Sequence, residues 1–362
     1  MPEPLQPQTY EPQPPQPTDI AAPVPPAPPH FTVRDIFVGA DGIRAGWSLL
    51  LFAVLFFVLL VVSGFLLGRV HDRRSGARST SQSQPQPAPP PSAPMSARVV
   101  YADEGVPLLC VALATWLMAK IERRPVLAYG FLPARALRNF ATGLAWGIAL
   151  LSLLVLMLRA AGLLVFDARL LFGGSILHYG IIWLAGFLLV ALSEESLTRG
   201  YLQFTLTRGL SGTYRLLFGA DHANRAGFWI AALILSFAFG IGHRPNPGES
   251  PLGLLSAGLA GFLFCFSLWH TGSLWWAIGF HASWDWAQSF LYGVPDSGLM
   301  AQGHLYATHP AGRPYLSGGL TGPEGSLLLL PVILAGAAAI VLTLPRTHSG
   351  YEAANAPPPS LH

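Results

Sequence analysis

Residues 193–200 read Ser-Glu-Glu-Ser-Leu-Thr-Arg-Gly, and this polar stretch interrupts a long apolar segment. Upstream, Ile181–Leu192 is apolar except for one Trp and one Gly, and downstream Tyr201–Leu206 is mostly apolar. Two adjacent carboxylates are costly to bury in such surroundings, and ionisable residues inside a membrane segment indicate a functional site. The rest of the chain is therefore interpreted around this stretch.

Helical spacing separates the two carboxylates. Glu195 and Arg199 are four positions apart, so they share a helix face and can form an ion pair. Glu194 points roughly 100° away and is left free. The alternative is a helix that ends at Glu194 in water, with a surface pair one turn later.

The composition is that of a membrane protein. The 362 residues are 52% hydrophobic and only 11% charged, with a mean hydropathy of +0.46, whereas a soluble domain carries about 25% charge. The net charge of +3 is interpreted as a topology signal, so no nucleic-acid partner is expected. Cys110 and Cys265 lie in apolar runs and form no disulfide framework. No cleavable signal peptide is expected, because the first apolar run begins only after Arg44.

Changes in composition predict five regions. In chain order they are a disordered Pro-rich tail and approach (1–44), an accessory transmembrane helix (45–68), a low-complexity Pro/Ser/Gln linker (69–98), a membrane core (99–345) and a disordered C-terminal tail (346–362). The accessory helix and its linker are expected to be separable from the core, and the tail and linker dispensable for chemistry.

Apolar runs long enough to cross the hydrocarbon core predict an all-α polytopic membrane helix bundle. About eight transmembrane helices are expected, at 45–67, 106–119, 140–165, 177–207, 228–243, 252–269, 273–292 and 326–344. No β-strand is predicted. Gly143 and Gly147 have the spacing that lets two helices approach closely, as do Gly253, Ala257 and Gly261.

Polar groups on three predicted helices are expected to meet. Glu194 and His243 lie about 21 Å and 27 Å from the same basic turn at 1.5 Å per residue, hence at similar depth. His281 and Asp285 are four apart on a third helix, and Phe239 is four before His243 and packs beneath it.

The chemistry open to these side chains is narrow. A carboxylate with two imidazoles can activate water directly or through a bound metal. His243, His281 and Asp285 are ligand types of a catalytic zinc site, although the spacing of soluble zinc proteases is absent. Each histidine could instead satisfy an ordinary interhelical hydrogen bond. No nucleotide or organic cofactor is expected.

The three motifs, in this order and each in its own apolar helix, resemble those of the CPBP family of CAAX prenyl endopeptidases and bacteriocin-processing membrane proteases. They are Glu194-Glu195-x3-Arg199, Phe239-x3-His243 and His281-x3-Asp285, and the similar region runs from about 178 to 292. The resemblance implies an eight-helix bundle in which an activated water attacks a peptide bond.

Roles follow from the resemblance residue by residue. Glu194 would be the general base, helped by His243, while His281 and Asp285 would stabilise the oxyanion or hold a metal. Glu195 and Arg199 would brace the site. The prenyl endopeptidases have Asn where this chain has Asp285, and an ionised Asp cannot donate to an oxyanion. This difference argues against strict prenyl-protein processing and for a protonated, orienting or metal-binding Asp285, although a metal-free mechanism is favoured.

Two other classes of function fit the same residues. One is a non-catalytic scaffold or bacteriocin-immunity-type protein that keeps the motifs for structure. The other is a transporter with a charged midplane site, for which no internal repeat is found. The expected partners are the lipid bilayer and a membrane-associated peptide or protein substrate. The expected location is the cell (inner) membrane with both termini cytoplasmic, which places the basic segments 120–138 and 208–225 inside.

Overall fold

A computed structural model of the protein describes residues 32–39, 42–75, 93–132 and 134–347. Most of the predicted disordered tails and of the predicted linker, residues 1–31, 76–92 and 348–362, therefore lie outside the described residues. The described chain is mainly helical. The helices are α1 (Arg34–Phe37), α2 (Ala45–Ser75), α3 (Ala97–Glu122), α4 (Ala136–Ala160), α5 (Gly174–Glu195), α6 (Gln203–Phe218), α7 (Ala223–Gly242), α8 (Pro251–Thr271), α9 (Trp275–Trp286), α10 (Pro314–Ser317) and α11 (Leu329–Thr343).

Two π-helical turns interrupt this pattern. The first, Ser196–Leu202, joins α5 to α6 into one continuous helical segment, and the second, Ala287–Leu291, continues α9. Short 3-10 turns occur at Val126–Ala128 and Pro323–Gly325.

The prediction of an all-α polytopic membrane bundle is confirmed, but the count of eight spans is not. Within the described residues, six helical segments are long and apolar enough to cross a membrane: Ala45–Leu66, Ala97–Glu122, Ala136–Ala160, Gly174–Phe218, Ala223–Gly242 and Pro251–Thr271. The seventh predicted span contains α9, which has 12 residues before its π turn, and the last contains α11, with 15 residues. Both are shorter than the roughly 20 residues that a span requires.

The expectation that no strand forms is wrong. Within the described ranges, three two-stranded sheets pair β1 with β2, β3 with β5 in parallel, and β4 with β6 in an antiparallel arrangement. The strands are β1 (Val38–Gly39), β2 (Gly42–Ile43), β3 (Ala93–Met95), β4 (Leu164–Arg169), β5 (Leu299–Ala301) and β6 (Tyr306–Pro310). They are two to six residues long, too short for an alternating pattern to be recognised in the sequence.

Two predicted boundaries differ from the structure. The predicted span 140–165 ends as a helix at Ala160, and its last residues begin β4. In the predicted linker 69–98, α2 continues to Ser75, and β3 pairs with β5. Met95 and Ala97, within the predicted linker, therefore pack against a core cluster.

The accessory helix α2 packs against the core. The Phe52 side chain is 1% exposed and stacks on Tyr201 with ring centroids 4.2 Å apart. The Arg208 guanidinium donates to the Ser48 hydroxyl at 3.0 Å. These contacts lie on the α6 side of the bundle, and none of the α2 side chains that the structure describes lines the cavity described below.

Helix α9 is the central helix of the bundle, and glycines allow α4 to approach it. A Cβ atom added at Gly143 would collide with the Trp276 carbonyl oxygen, and one at Gly147 with the Phe280 carbonyl oxygen. From the other side, a Cβ at Gly279 would collide with the Phe140 carbonyl oxygen. The close helix contact predicted at Gly143 and Gly147 therefore sets the position of α9, the helix that carries His281 and Asp285.

We expect Gly143→Ala to lower the melting temperature of the detergent-solubilised protein. Overpacking a close contact costs about 1–3 kcal/mol, which exceeds the gain of up to ~1 kcal/mol that alanine brings to a helix interior. The matched control is Gly64→Ala in α2, where an added Cβ meets nothing within 4 Å. Equal melting temperatures for the two variants would show that the close contact between α4 and α9 at Gly143 does not stabilise the fold.

Candidate active site

A cavity of about 430 Å³ lies inside the bundle, between α3, α5, α7, α8 and α9 and the loop before α11. Glu194, Phe239, His243, His281 and Asp285 all line it. The structure thus brings the four predicted catalytic residues to one cavity, although they come from three separate helices. Glu195 and Arg199 do not line it and lie behind its wall.

The end of α5 points its two carboxylates in different directions. The Glu195 side chain is 0% exposed, whereas the Glu194 side chain is 29% exposed. The π turn begins at the next residue, and the Thr198 hydroxyl donates to the Glu194 carbonyl at 2.5 Å. Gly200 has non-helical dihedrals within this turn. Inserted π turns are common at functional sites because they redirect side chains without ending the helix.

Glu195 and Arg199 form the expected ion pair. Arg199 Nη1 lies 2.8 Å from Glu195 Oε1, and the Arg199 side chain is 1% exposed. The guanidinium carbon lies 4.1 Å from the ring centroid of Phe239 and 5.5 Å from that of Phe264. A Cβ at Gly261 of α8 would collide with Arg199 Nη2. Glycine at this position therefore makes room for the buried cation.

His281 contacts three carboxylates at the centre of the site. Its Nδ1 lies 3.2 Å from Glu195 Oε1, and its Nε2 lies 3.4 Å from Asp285 Oδ2 and 3.8 Å from Glu194 Oε2. The imidazole also stacks on Phe264 at a centroid distance of 5.4 Å. Glu195 therefore contacts both Arg199 and His281, a second contact that helical spacing alone did not reveal.

His243 stands on the cavity wall somewhat apart from this cluster. Its Nδ1 lies 2.8 Å from the Phe239 carbonyl oxygen, and because a carbonyl only accepts, Nδ1 must donate. Its ring packs edge-on against Phe239 at 4.8 Å. Within the described part of the chain, His243 makes no hydrogen bond or ion pair with Glu194, His281 or Asp285. Its Nε2 is the ring nitrogen left for a ligand or water.

Sequence reasoning missed four further carboxylates that line the cavity, namely those of Asp103, Glu104, Asp296 and Glu324. Asp103 and Glu104 lie in α3, where an acidic pair in an apolar helix is the same signal that singled out Glu194. Asp296 and Glu324 lie in loops, which have no periodic pattern. Burial, together with the carboxylates of Asp285 and Glu324, raises the pKa of Asp296 well above its usual range.

The predicted zinc ligands are not gathered around one point. Among the described residues, the only set of three or more ligand side chains whose atoms lie within 4.8 Å of one another is Asp285, Asp296 and Glu324. A zinc ion needs its nitrogen and oxygen ligands at about 2.0–2.2 Å. In this arrangement His243, His281 and Asp285 do not fit a shared zinc ion, and no catalytic step is derived through one.

We expect Arg199→Ala to lower thermal stability strongly, because removing one partner of a buried ion pair leaves a charge unpaired at a cost of about 3–5 kcal/mol. Gly261→Ala should also lower the melting temperature, because the added Cβ would displace the Arg199 guanidinium. Gly212→Ala in α6, where a Cβ meets nothing within 4 Å, is the control. A melting temperature for Gly261→Ala equal to that of the control would rule out this role of Gly261.

Comparison with known proteins places the site in a recognised sequence segment. Residues 176–287 match the family model described as type II CAAX prenyl endopeptidase Rce1-like. This segment contains the acidic pair, His243 and the His281–Asp285 pair. No curated protein and no solved structure gives a significant match. The predicted resemblance is therefore confirmed: over residues 176–287, this integral membrane protein is similar to the Rce1-like type II CAAX prenyl endopeptidases, a family of membrane proteases.

Proposed function

We propose that the protein is an intramembrane endopeptidase that cleaves peptide bonds with a water molecule activated by Glu194. The observation that carries this proposal is the position of Glu194 beside His281 in a cavity inside the bundle, within the segment that matches a protease family. Glu194 Oε2 is buried and has no hydrogen-bond donor among the described residues. A carboxylate oxygen without a donor is free to accept a proton from water.

In the proposed reaction, Glu194 takes one proton from a water molecule as the water oxygen attacks the carbonyl carbon of the substrate. The carbonyl oxygen becomes an oxyanion, which a nearby hydrogen-bond donor must stabilise. Collapse of this intermediate breaks the C–N bond, and the proton on Glu194 passes to the leaving amine. The products are a carboxyl group and an amine, so all atoms of the water are accounted for.

His281 is the proposed oxyanion donor. Its two ring nitrogens face Glu195 on one side and Glu194 and Asp285 on the other. A proton on each nitrogen suits these surroundings: Nδ1–H donates to Glu195, and Nε2–H, which makes no hydrogen bond among the described residues, is available to the oxyanion. The free Nε2 of His243 is a second group on the cavity wall that can bind water or the oxyanion.

Asp285 is proposed to orient His281. Its Oδ2 lies 3.4 Å from His281 Nε2, one helical turn away on α9. In this role Asp285 acts as an acceptor towards His281, whereas the asparagine of the prenyl endopeptidases can donate to the oxyanion. This difference favours a membrane-associated peptide or protein substrate other than a strictly prenylated one.

The membrane in which the protein lies and the side of its termini are also part of the proposed function. We place the protein in the cell (inner) membrane with both termini cytoplasmic, on the basis of the basic segments 120–138 and 208–225. The rival function, a non-catalytic scaffold or immunity-type protein, predicts that Glu194 can be replaced without functional loss.

Glu194→Gln should abolish hydrolysis of quenched fluorescent apolar peptides, prenylated or not, while leaving the melting temperature near that of the wild type. The amide cannot accept the proton, and the loss of general-base catalysis alone is about 10²–10⁴-fold. Asp167→Asn is the control, since Asp167 is exposed and pairs with His309 outside the cavity. Unchanged hydrolysis in Glu194→Gln would exclude the mechanism.

Asp285→Asn separates a metal-free site from a zinc site. Without a metal, asparagine keeps an oxygen acceptor where Asp285 Oδ2 lies 3.4 Å from His281 Nε2, so we expect a loss of activity smaller than about 10-fold. Removing a metal ligand or its brace commonly costs about 10–100-fold. Metal content is measured on the same purified samples. One zinc ion per chain in the wild type, together with an inactive Asp285→Asn, would overturn the metal-free proposal.

A further inference from the structure

We propose that the cavity selects substrates with a lysine or arginine close to the scissile bond, bound by the acidic wall formed by Asp285, Asp296 and Glu324. This inference rests on the proposed peptidase function and names its substrate class. Two of the three wall residues, Asp296 and Glu324, lie outside the segment similar to the protease family, because that segment ends at residue 287.

Carboxylates outnumber cations in the lining of the cavity. Among the described residues, six carboxylate side chains line it and no lysine or arginine does, so the His281 imidazolium is the one cation proposed there; the six are Asp103, Glu104, Glu194, Asp285, Asp296 and Glu324. The nearest buried cation, Arg199, lies behind the wall and is already paired with Glu195. The cavity therefore attracts positive charge, and its low-dielectric walls strengthen the attraction.

The acidic wall itself contacts only neutral donors or His281. Asp296 Oδ2 accepts from the Ser289 hydroxyl at 3.2 Å. Glu324 accepts from Trp284 Nε1 at 3.3 Å and from the Ser297 hydroxyl at 3.2 Å. Across the part of the chain that the structure describes, neither residue forms an ion pair with lysine or arginine. Three carboxyl groups with oxygen atoms within 4.8 Å of one another cannot all ionise without mutual repulsion, and a bound cation relieves that repulsion and favours their charged forms.

A second, separate observation indicates a missing polar ligand in the same cavity. Ser256 of α8 lines the cavity and is 2% exposed, yet its hydroxyl has no hydrogen-bond partner among the described residues. Buried hydroxyl groups are nearly always hydrogen-bonded. A peptide supplies backbone donors and acceptors for Ser256, and its lysine ammonium supplies three donors for the carboxylates.

The remaining lining explains why the cation should belong to a peptide. Apolar side chains form much of the wall, among them Phe187, Val190, Phe264, Leu299, Leu329 and Ile333. The volume of about 430 Å³ is within the range of ligand pockets, about 300–1,000 Å³. A metal ion would leave most of this space empty and would need further oxygen ligands to reach the six to eight that Ca²⁺ takes. A short apolar segment with one basic side chain fills the space and matches the charge.

The test uses full-length protein and a set of quenched fluorescent apolar peptides that differ at one position. At each site flanking the cleaved bond the peptide carries lysine, its neutral analogue norleucine, or glutamate. We expect kcat/KM for the best lysine peptide to exceed that of its norleucine partner at least about 10-fold, since hydrogen bonds to charged groups are worth about 1.5–3 kcal/mol.

Two isosteric variants assign the preference to the wall. Asp296→Asn and Glu324→Gln keep an acceptor for Ser289, Ser297 and Trp284 but remove a charge, so each should lower the lysine-to-norleucine ratio. Glu324→Lys should shift the preference towards glutamate. Asp167→Asn should leave the ratio as in the wild type. Melting temperatures identify any variant that fails to fold.

Binding of the same peptides, measured by fluorescence anisotropy at low temperature, separates this proposal from the proposed function. Tighter binding of lysine peptides without any cleavage would support the acidic wall and reject the peptidase. Cleavage with equal rates for lysine and norleucine, or a ratio that the wall variants do not change, would overturn the substrate preference. So would a stoichiometric Mg²⁺ or Ca²⁺ ion whose removal by chelator abolishes cleavage and whose binding is lost in the wall variants.

Discussion

The buried ion pair between Glu195 and Arg199 constrains the rest of the structure. A guanidinium that is 1% exposed is tolerated only where a counter-charge and polarisable neighbours replace water. Its neighbours come from α5, from Phe239 on α7 and from Phe264 on α8, while Glu195 extends the contact to His281 on α9. Four helical segments therefore meet at this ion pair, and Phe239, Phe264 and His281 separate the pair from the cavity that they line.

Two π turns lie next to the site among the described residues. One begins directly after Glu195 and the other two residues after Asp285, so both acid-bearing helices change their winding there. Glu194 and Glu195 themselves precede the first turn, in α5, where successive side chains point about 100° apart. This helical period buries Glu195 against Arg199 and lets Glu194 reach the cavity, which is the division between a bracing and a reacting carboxylate on which the proposed mechanism depends.

The centre and the walls of the cavity come from different parts of the chain. The centre lies in the segment 176–287 that is similar to the protease family. The walls come from α3 and β3 on one side and from the loops around Asp296 and Glu324 on the other. The inference of a basic substrate draws on both parts, because Asp296 and Glu324 lie outside the matched segment whereas Asp285 and Ser256 lie inside it.

The sequence by itself determined the membrane bundle, the Glu195–Arg199 pair, the His281–Asp285 spacing and the glycine contacts of α4. These features follow from hydropathy and the helical period, which act over a few neighbouring residues. Only the tertiary structure decided that His281 contacts three carboxylates, that α9 is too short for a typical span, and that β3 joins the core. It also decided that Asp296 and Glu324 stand beside Asp285. These relations join residues that are distant in the chain or lie in loops, where no periodic signal exists, and they arise from packing around one buried charge.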